Sequence, residues 1–110
     1  MDLDTLTRAM YDFVESNGWL AEDSPKKQTR RNLAISLVLE ASEVLEHFQW
    51  RDETDRPDEL AEELADVMLY LLQLASFSGI DLGQAVMAKL DKNYARDWHE
   101  HSQRSTRSTQ

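Results

Sequence analysis

The chain has 110 residues and a net charge of −9, with 21 acidic against 12 basic side chains. This length predicts one domain with a single hydrophobic core, and the excess of acid argues against a protein that binds nucleic acid polymers or anionic membranes. The absence of cysteine excludes disulfides and thiolate metal sites, and because neither a membrane span nor a signal peptide is evident we expect a cytoplasmic protein.

Apolar periodicity predicts four helices and no strand. The first helix is predicted over residues 3–17 and the second over about 30–50, after a polar loop. The third is predicted over about 57–78 and the fourth over 81–98. Residues 99–110 contain no apolar side chain, which indicates a mobile tail after a single domain of residues 1–98.

The helix ends carry their own signals. Thr29 is a suitable cap for the second helix, and Asp55 is a possible cap for the third. Gly18 and Gly79 follow the first and third helices, where glycine commonly ends a helix.

The short connections predict an all-α, four-helix bundle-like protomer. The second and third helices, however, are apolar on more than one side, because Ile35, Leu39, Leu69 and Leu72 lie away from the main apolar stripes. We therefore expect a second subunit to cover these side chains, so that the protein is a homodimer or a dimer of dimers.

Two pairs of carboxylates mark the middle helices. Glu40 and Glu43 lie on the second helix, and Glu63 and Asp66 lie on the third. Each pair is spaced so that both acids lie at the edge of the apolar stripe, and antiparallel packing would bring the four together. A divalent cation would then offset their repulsion, and hard oxygen ligands favour Mg²⁺ or Mn²⁺. A solvated acidic face explains the spacing equally well, so both interpretations stay open here.

The wider pattern resembles a known family. The acidic residues read Glu40-x-x-Glu43 and Glu63-x-x-Asp66, which is similar to the signature of the MazG-like, all-α nucleoside triphosphate pyrophosphohydrolases. Asn32-Leu33, Phe48-Gln49-Trp50 and Tyr70 extend the similarity toward the small dCTP-pyrophosphatase-like branch. The loop before Asn32 and the residues after Arg96 depart from that branch, which leaves the identity of the base open.

The resemblance implies a function and a set of site residues. Glu40, Glu43, Glu63 and Asp66 would be catalytic and would hold Mg²⁺, with Mn²⁺ as a substitute. A nucleoside triphosphate, especially a pyrimidine deoxynucleotide such as dCTP or a modified form, would be hydrolysed to its monophosphate and pyrophosphate in nucleotide-pool house-cleaning. The remaining candidates would bind phosphate, namely Lys89, Lys92, Asn93 and Arg96, or the base, namely Trp19, Trp50 and Tyr70.

Two other functions are compatible with a helical acidic protein. A non-catalytic helical interaction module would use the acids as a solvated or partner-facing surface. A di-iron or di-manganese oxidase would need a histidine three residues after a glutamate ligand on two helices. Here His47 lies four residues after Glu43, so we expect it to be a structural residue or to support a ligand.

Overall fold

A computed structural model of the chain describes residues 1–21, 23–24 and 28–104, of which 97–104 are described in backbone only. The described residues form four α-helices and no strand, which confirms the all-α prediction. The helices are α1 (Leu3–Ser16), α2 (Arg30–Glu46), α3 (Pro57–Phe77) and α4 (Leu82–Arg104).

The chain divides into two compact units. The first, Met1–Ile80, contains α1, α2 and α3, and the second begins at Asp81 and contains α4. In the first unit α3 packs against both α2 and α1, so it is the central helix. The buried apolar side chains that the structure describes in this unit are Met10, Val14, Leu33, Leu72 and Ala75.

Helices α2 and α3 are antiparallel. His47, just after α2, contacts Glu63 near the start of α3. Gln28, just before α2, instead contacts Gln73 near the end of α3. Positions that rise along one helix therefore meet positions that fall along the other, which is the arrangement that brings the two acidic pairs to the same level.

The predicted cap of α2 and the predicted glycine stops after α1 and α3 are present. The Thr29 hydroxyl accepts a hydrogen bond from the Asn32 amide at 3.1 Å, which confirms it as the cap of α2. Gly18 and Gly79 follow α1 and α3 with φ of +73° and +68°. This left-handed conformation strains residues that have a Cβ, so glycine is favoured at both positions.

The predicted cap of α3 is wrong. Arg56 occupies the cap position, and no side chain there accepts a hydrogen bond from the first turn. The Asp55 carboxylate is instead engaged by Arg51 at 3.0 Å and by Arg56 at 3.7 Å. The Asp55 carboxylate is therefore paired with two guanidinium groups and does not cap the first turn of α3.

Helix α2 is shorter than predicted, since it ends at Glu46 and not near Trp50. The amides of His47 and Phe48 bond to carbonyls three residues earlier, at 3.2 and 2.9 Å, which tightens the last turn. At the other end of the chain, α4 continues to Arg104, past the predicted boundary at Trp98. The remainder of the predicted tail, 105–110, lies outside the described residues.

The apolar surface differs in part from the prediction. Leu72 is only 2% exposed because the first unit itself covers it, so it needs no second subunit. Ile35, Leu39 and Leu69 are exposed, as expected for residues outside the core of one chain.

Leu45 and Leu64, which the helical pattern assigns to the inner stripes, are also exposed. The apolar face of the middle helices is therefore broader than the core of the first unit can bury.

Considered one at a time, none of the described helices has the length and apolar character to cross a membrane, although α3 and α4 pass as a pair on those two criteria alone.

Candidate functional site

Two of the predicted acids, Glu63 on α3 and Glu40 on α2, are half-buried, whereas Glu43 and Asp66 are exposed. Glu40 has the other three acids as charged neighbours. Burial raises the pKa of its carboxyl, and the neighbouring charges of Glu43, Asp66 and Glu63 raise it further, as does a hydrogen bond with Glu43. The structure thus brings Glu43, Glu63 and Asp66 within electrostatic reach of Glu40.

Glu63 is held by a histidine from the other side of the hairpin. The His47 Nε2 atom lies 2.6 Å from Glu63 Oε1, and the His47 Nδ1 atom lies 2.5 Å from Thr54 Oγ1. The Thr54 hydroxyl also accepts a hydrogen bond from the Arg56 amide at 3.0 Å. His47 is therefore a buried residue that contacts one of the predicted acids, with a partner at each ring nitrogen; that it supports a metal ligand stays a prediction.

The four predicted acids are neighbours, but their side chains do not form a ready-made coordination site. Within the part of the chain that the structure describes, no three His, Asp or Glu side chains are arranged to hold a metal ion as they stand. The chemistry of the set nevertheless fits a hard divalent cation, because all four ligands offered are carboxylates. The repulsion that raises the pKa of Glu40 is the repulsion that such a cation would relieve.

A cavity of about 470 Å³ adjoins the acids inside the first unit. This volume lies within the range of small-molecule sites in proteins. Its lining is mainly apolar and comes from all three helices of the unit and from the α1–α2 connection, and it comprises Ala9, Met10, Phe13, Val14, Trp19, Gln28, Glu40, Asp66, Leu69, Tyr70 and Gln73.

The cavity wall contains aromatic rings, which can stack on a ligand, and side-chain amides, which can form hydrogen bonds. The rings of Phe13 and Trp19 meet edge to face, with centroids 5.6 Å apart and planes at 86°. Gln73 is buried, and its side-chain amide donates a hydrogen bond to the Gln28 side-chain oxygen. The cavity therefore combines flat apolar surfaces with a pair of amides, and it has two carboxylates in its wall.

The structure brings some predicted base-binding residues together and leaves one apart. Trp19 and Tyr70 both line the cavity, whereas Trp50 does not and is 88% exposed. Trp50 follows the shortened end of α2, and its side chain points away from the core of the first unit. Within one chain, the aromatic wall is built from Phe13, Trp19 and Tyr70 instead.

The predicted phosphate-binding residues lie on α4, in the second unit. Lys89, Lys92, Asn93 and Arg96 are spaced to share one broad side of this helix, and all four are exposed. Their role toward phosphate stays a prediction.

Residue patterns alone missed the α1 side of the cavity and both amides. Met10, Phe13 and Val14 have the spacing of an ordinary core stripe, so nothing local distinguished a ligand wall from core. Gln73 did carry a signal, because it interrupts the apolar run Leu71-Leu72-Gln73-Leu74. A buried amide in such a run needs a polar partner, and here Gln28 supplies one.

Known proteins that are similar in sequence to this chain are MazG-like proteins and dCTP pyrophosphatases. A model of the MazG-like family matches residues 35–110. The dCTP pyrophosphatase 1 of Mus musculus is 37% identical over 103 residues, covering 86% of this chain and 58% of the mouse protein. The dCTP pyrophosphatase 1 of Homo sapiens is 35% identical over the same length and coverage. The chain thus spans 58% of the length of these curated relatives.

A solved structure supports the same fold. The crystal structure of a pyrophosphatase from Archaeoglobus fulgidus superposes with a TM-score of 0.72 at 35% identity. The match covers 86% of this chain and 90% of the archaeal one. The similarity therefore extends over most of the chain.

Proposed function

Because this chain belongs to the MazG-like family, we propose that it hydrolyses nucleoside triphosphates to the monophosphate and pyrophosphate. The observation that carries the proposal is the cavity, which has aromatic rings in its wall together with Glu40 and Asp66. A nucleobase has flat apolar faces that stack on such rings. A base bound there would leave its phosphates beside the acids.

The acids supply the hydrolytic part of the proposal. Glu40, Glu43, Glu63 and Asp66 would hold Mg²⁺, with Mn²⁺ as a substitute, and a bound cation would neutralise phosphate oxygens and favour the ionised form of a water molecule. One of these carboxylates, or the neighbouring Glu62, orients the attacking water and accepts its proton. The water oxygen bonds to the α-phosphorus, the bond from that phosphorus to the β-phosphate oxygen breaks, and pyrophosphate leaves.

The substrate class follows from the relatives and the cavity together. The mouse and human relatives are named for dCTP, and the Gln28 and Gln73 amides can each donate and accept hydrogen bonds. We therefore propose pyrimidine deoxynucleotides, such as dCTP or modified forms, as preferred substrates, with nucleotide-pool house-cleaning as the role. Lys89, Lys92, Asn93 and Arg96 would bind the phosphates.

The assembly completes the proposal. A homo-oligomer, either a dimer or a tetramer, would cover the exposed apolar side chains of α2, and the protein would act in the cytoplasm. Neither a nucleic acid polymer nor a membrane is a proposed partner, because the net charge of −9 repels anionic surfaces.

A substrate panel tests the proposed reaction. Purified protein is incubated with Mg²⁺ and each common ribo- and deoxynucleoside triphosphate, and the monophosphate and pyrophosphate are measured separately from the diphosphate and phosphate. We expect pyrophosphate release, fastest with dCTP or another pyrimidine deoxynucleotide. Release of phosphate with the diphosphate would show attack at a different phosphorus and would contradict the mechanism.

The alternative function is a non-catalytic acidic interaction module. Glu63→Gln removes the charge of one proposed ligand with little change in size, whereas Glu46→Gln is a matched change at an exposed acid on α2. We expect the first variant to lose activity while remaining helical, and the second to retain it. Absence of pyrophosphate release from all substrates, with no thermal shift on adding Mg²⁺ and nucleotide, would favour the interaction module.

A further inference from the structure

His47 connects the end of α2, the α2–α3 connection and the acidic set. Its side chain is fully buried, with 0% exposure, and Glu63 is 19% exposed. The hydrogen bond between the two side chains joins the end of α2 to the body of α3. A polar side chain buried this deeply must be satisfied by specific partners, and His47 has one at each ring nitrogen.

The partners of His47 hold its ring from two sides. An ionised carboxylate only accepts hydrogen bonds, so the His47 Nε2–H donates to Glu63 Oε1. On the other side of the ring, the Nδ1 atom is hydrogen-bonded to the Thr54 hydroxyl, whose oxygen also accepts a hydrogen bond from the Arg56 amide. Contacts at both ring nitrogens therefore limit rotation of the His47 ring.

The hydrogen bond from His47 restrains the Glu63 carboxylate, which is repelled by a neighbouring charge. Glu63 lies within electrostatic reach of Glu40, and like charges favour side-chain conformations that separate them. His47 engages one carboxylate oxygen of Glu63 and so limits rotation of the group. The second oxygen remains available to a cation, because the contact involves Oε1 alone.

We propose that His47, oriented by Thr54, is a positioning residue that holds Glu63 for the divalent cation and thereby sets the affinity of the acidic set for metal. This inference rests on the metal-binding part of the proposed function. Residues that hydrogen-bond to metal ligands commonly change metal affinity by about 10- to 100-fold when they are replaced.

Metal binding without nucleotide is the direct test. The free Mn²⁺ concentration is measured by electron paramagnetic resonance during titration of wild-type protein, His47→Leu and His47→Gln. We expect His47→Leu, which keeps an apolar volume but donates no hydrogen bond, to raise the Kd for Mn²⁺ about 10- to 100-fold. His47→Gln retains an N–H donor, and its Kd should lie between those of the wild type and the leucine variant.

A second variant tests the role of Thr54 and guards against misfolding. Thr54→Val is nearly isosteric and removes only the hydroxyl, so we expect a smaller rise in Kd in the same direction. Circular dichroism and thermal melting confirm that each variant is folded. An unchanged Kd for Mn²⁺ in folded His47→Leu, or in Thr54→Val if the leucine variant does not fold, would overturn the proposal.

Steady-state kinetics separate positioning from a structural role. We expect His47→Leu to need about 10- to 100-fold more Mg²⁺ for half-maximal rate, while kcat at saturating Mg²⁺ stays within a few-fold of the wild type. A variant that loses kcat with unchanged metal dependence would contradict a positioning role.

Two further results separate this proposal from the proposed function. If wild-type protein binds Mn²⁺ and releases no pyrophosphate from nucleotides, the proposed reaction fails while the positioning role is still decided by the Kd values. If Glu63→Gln binds Mn²⁺ as tightly as the wild type, Glu63 is not a ligand and the positioning role is overturned. Wild-type protein that binds no Mn²⁺ overturns it as well.

Discussion

The carboxylate of Glu40 is held in surroundings that disfavour its charge. Burial and the three neighbouring acids raise its pKa above the ordinary value for glutamate. The folded protein therefore binds this proton more tightly than the unfolded chain does. It follows that the free energy of unfolding falls as pH rises from the ordinary carboxyl pKa to the raised one, and the full cost remains at neutral pH.

Replacing Glu40 should consequently stabilise the metal-free protein. We expect Glu40→Gln, studied in a chelator at neutral pH, to melt a few °C higher than the wild type, since ~1 kcal/mol moves Tm by roughly 4–8 °C in a domain of this size. The same variant should lose pyrophosphohydrolase activity. Differential scanning calorimetry measures the first effect, and pyrophosphate release measures the second.

Glu46→Gln is the control for this experiment, because Glu46 is an exposed acid on the same helix. Its Tm in chelator should stay close to the wild-type value. A Glu40→Gln variant that melts at or below the wild-type temperature would show that the repulsion around Glu40 is compensated by contacts of its side chain.

The Trp19 ring is the second residue with a separable role. If it stacks on the base, Trp19→Ala should raise KM for the preferred nucleotide about 5- to 150-fold, as expected for loss of ~1–3 kcal/mol of stacking. The Kd for Mn²⁺ without nucleotide should not change. Trp50→Ala is the matched control, because Trp50 does not line the cavity; a larger rise in KM from Trp50→Ala would move the base site away from the cavity.

At the scale of elements, α2 matters because it carries Glu40 and Glu43 and is followed directly by His47. One side of α2 includes Leu33 and Glu40, which are buried and half-buried. The opposite side includes Ile35 and Leu39, which are exposed. The helix is therefore apolar on two sides. Packing against α3 determines which of the two is buried, and Glu40 lies on the buried side.

The start of α2 offers a test of how far its local stability supports the site. Thr29→Ala removes the hydroxyl that caps the Asn32 amide and should lower the free energy of unfolding by about 0.5–2 kcal/mol. Thr29→Ser retains the cap and should melt near the wild-type temperature. Chemical denaturation measures both, and equal losses in the two variants would mean that the threonine methyl group, not the cap, supplies the stability.

At the scale of the whole molecule, the exposed side of α2 should form the interface between copies. Leu39→Glu places a charge among apolar side chains and should shift the protein toward the 12.8 kDa monomer. Sedimentation velocity or light scattering measures the mass. Leu39→Met is the control of similar volume and should keep the oligomer; a wild-type protein that is already monomeric would contradict the predicted assembly.

Much of the architecture could be predicted from the amino-acid sequence. The four helices, the Thr29 cap and the glycine stops depend on interactions within about four residues, so local patterns are sufficient to predict them. The acidic signature and the family were also recognisable, because Glu40, Glu43, Glu63 and Asp66 keep their spacing whatever surrounds them. His47 was expected to be a structural residue or to support a ligand, and it is buried in contact with Glu63.

Tertiary structure decided which residues surround the acids. The cavity joins residues from α1, the following connection, α2 and α3, such as Phe13, Gln28 and Gln73, and periodicity along a single helix cannot pair positions that are distant in the chain. The same reason applies to Leu72, which the first unit buries, and to Trp50, which it leaves exposed. Because α2 and α3 are apolar on several sides, only their packing determined which faces form the core, which face lines the cavity and which faces stay exposed.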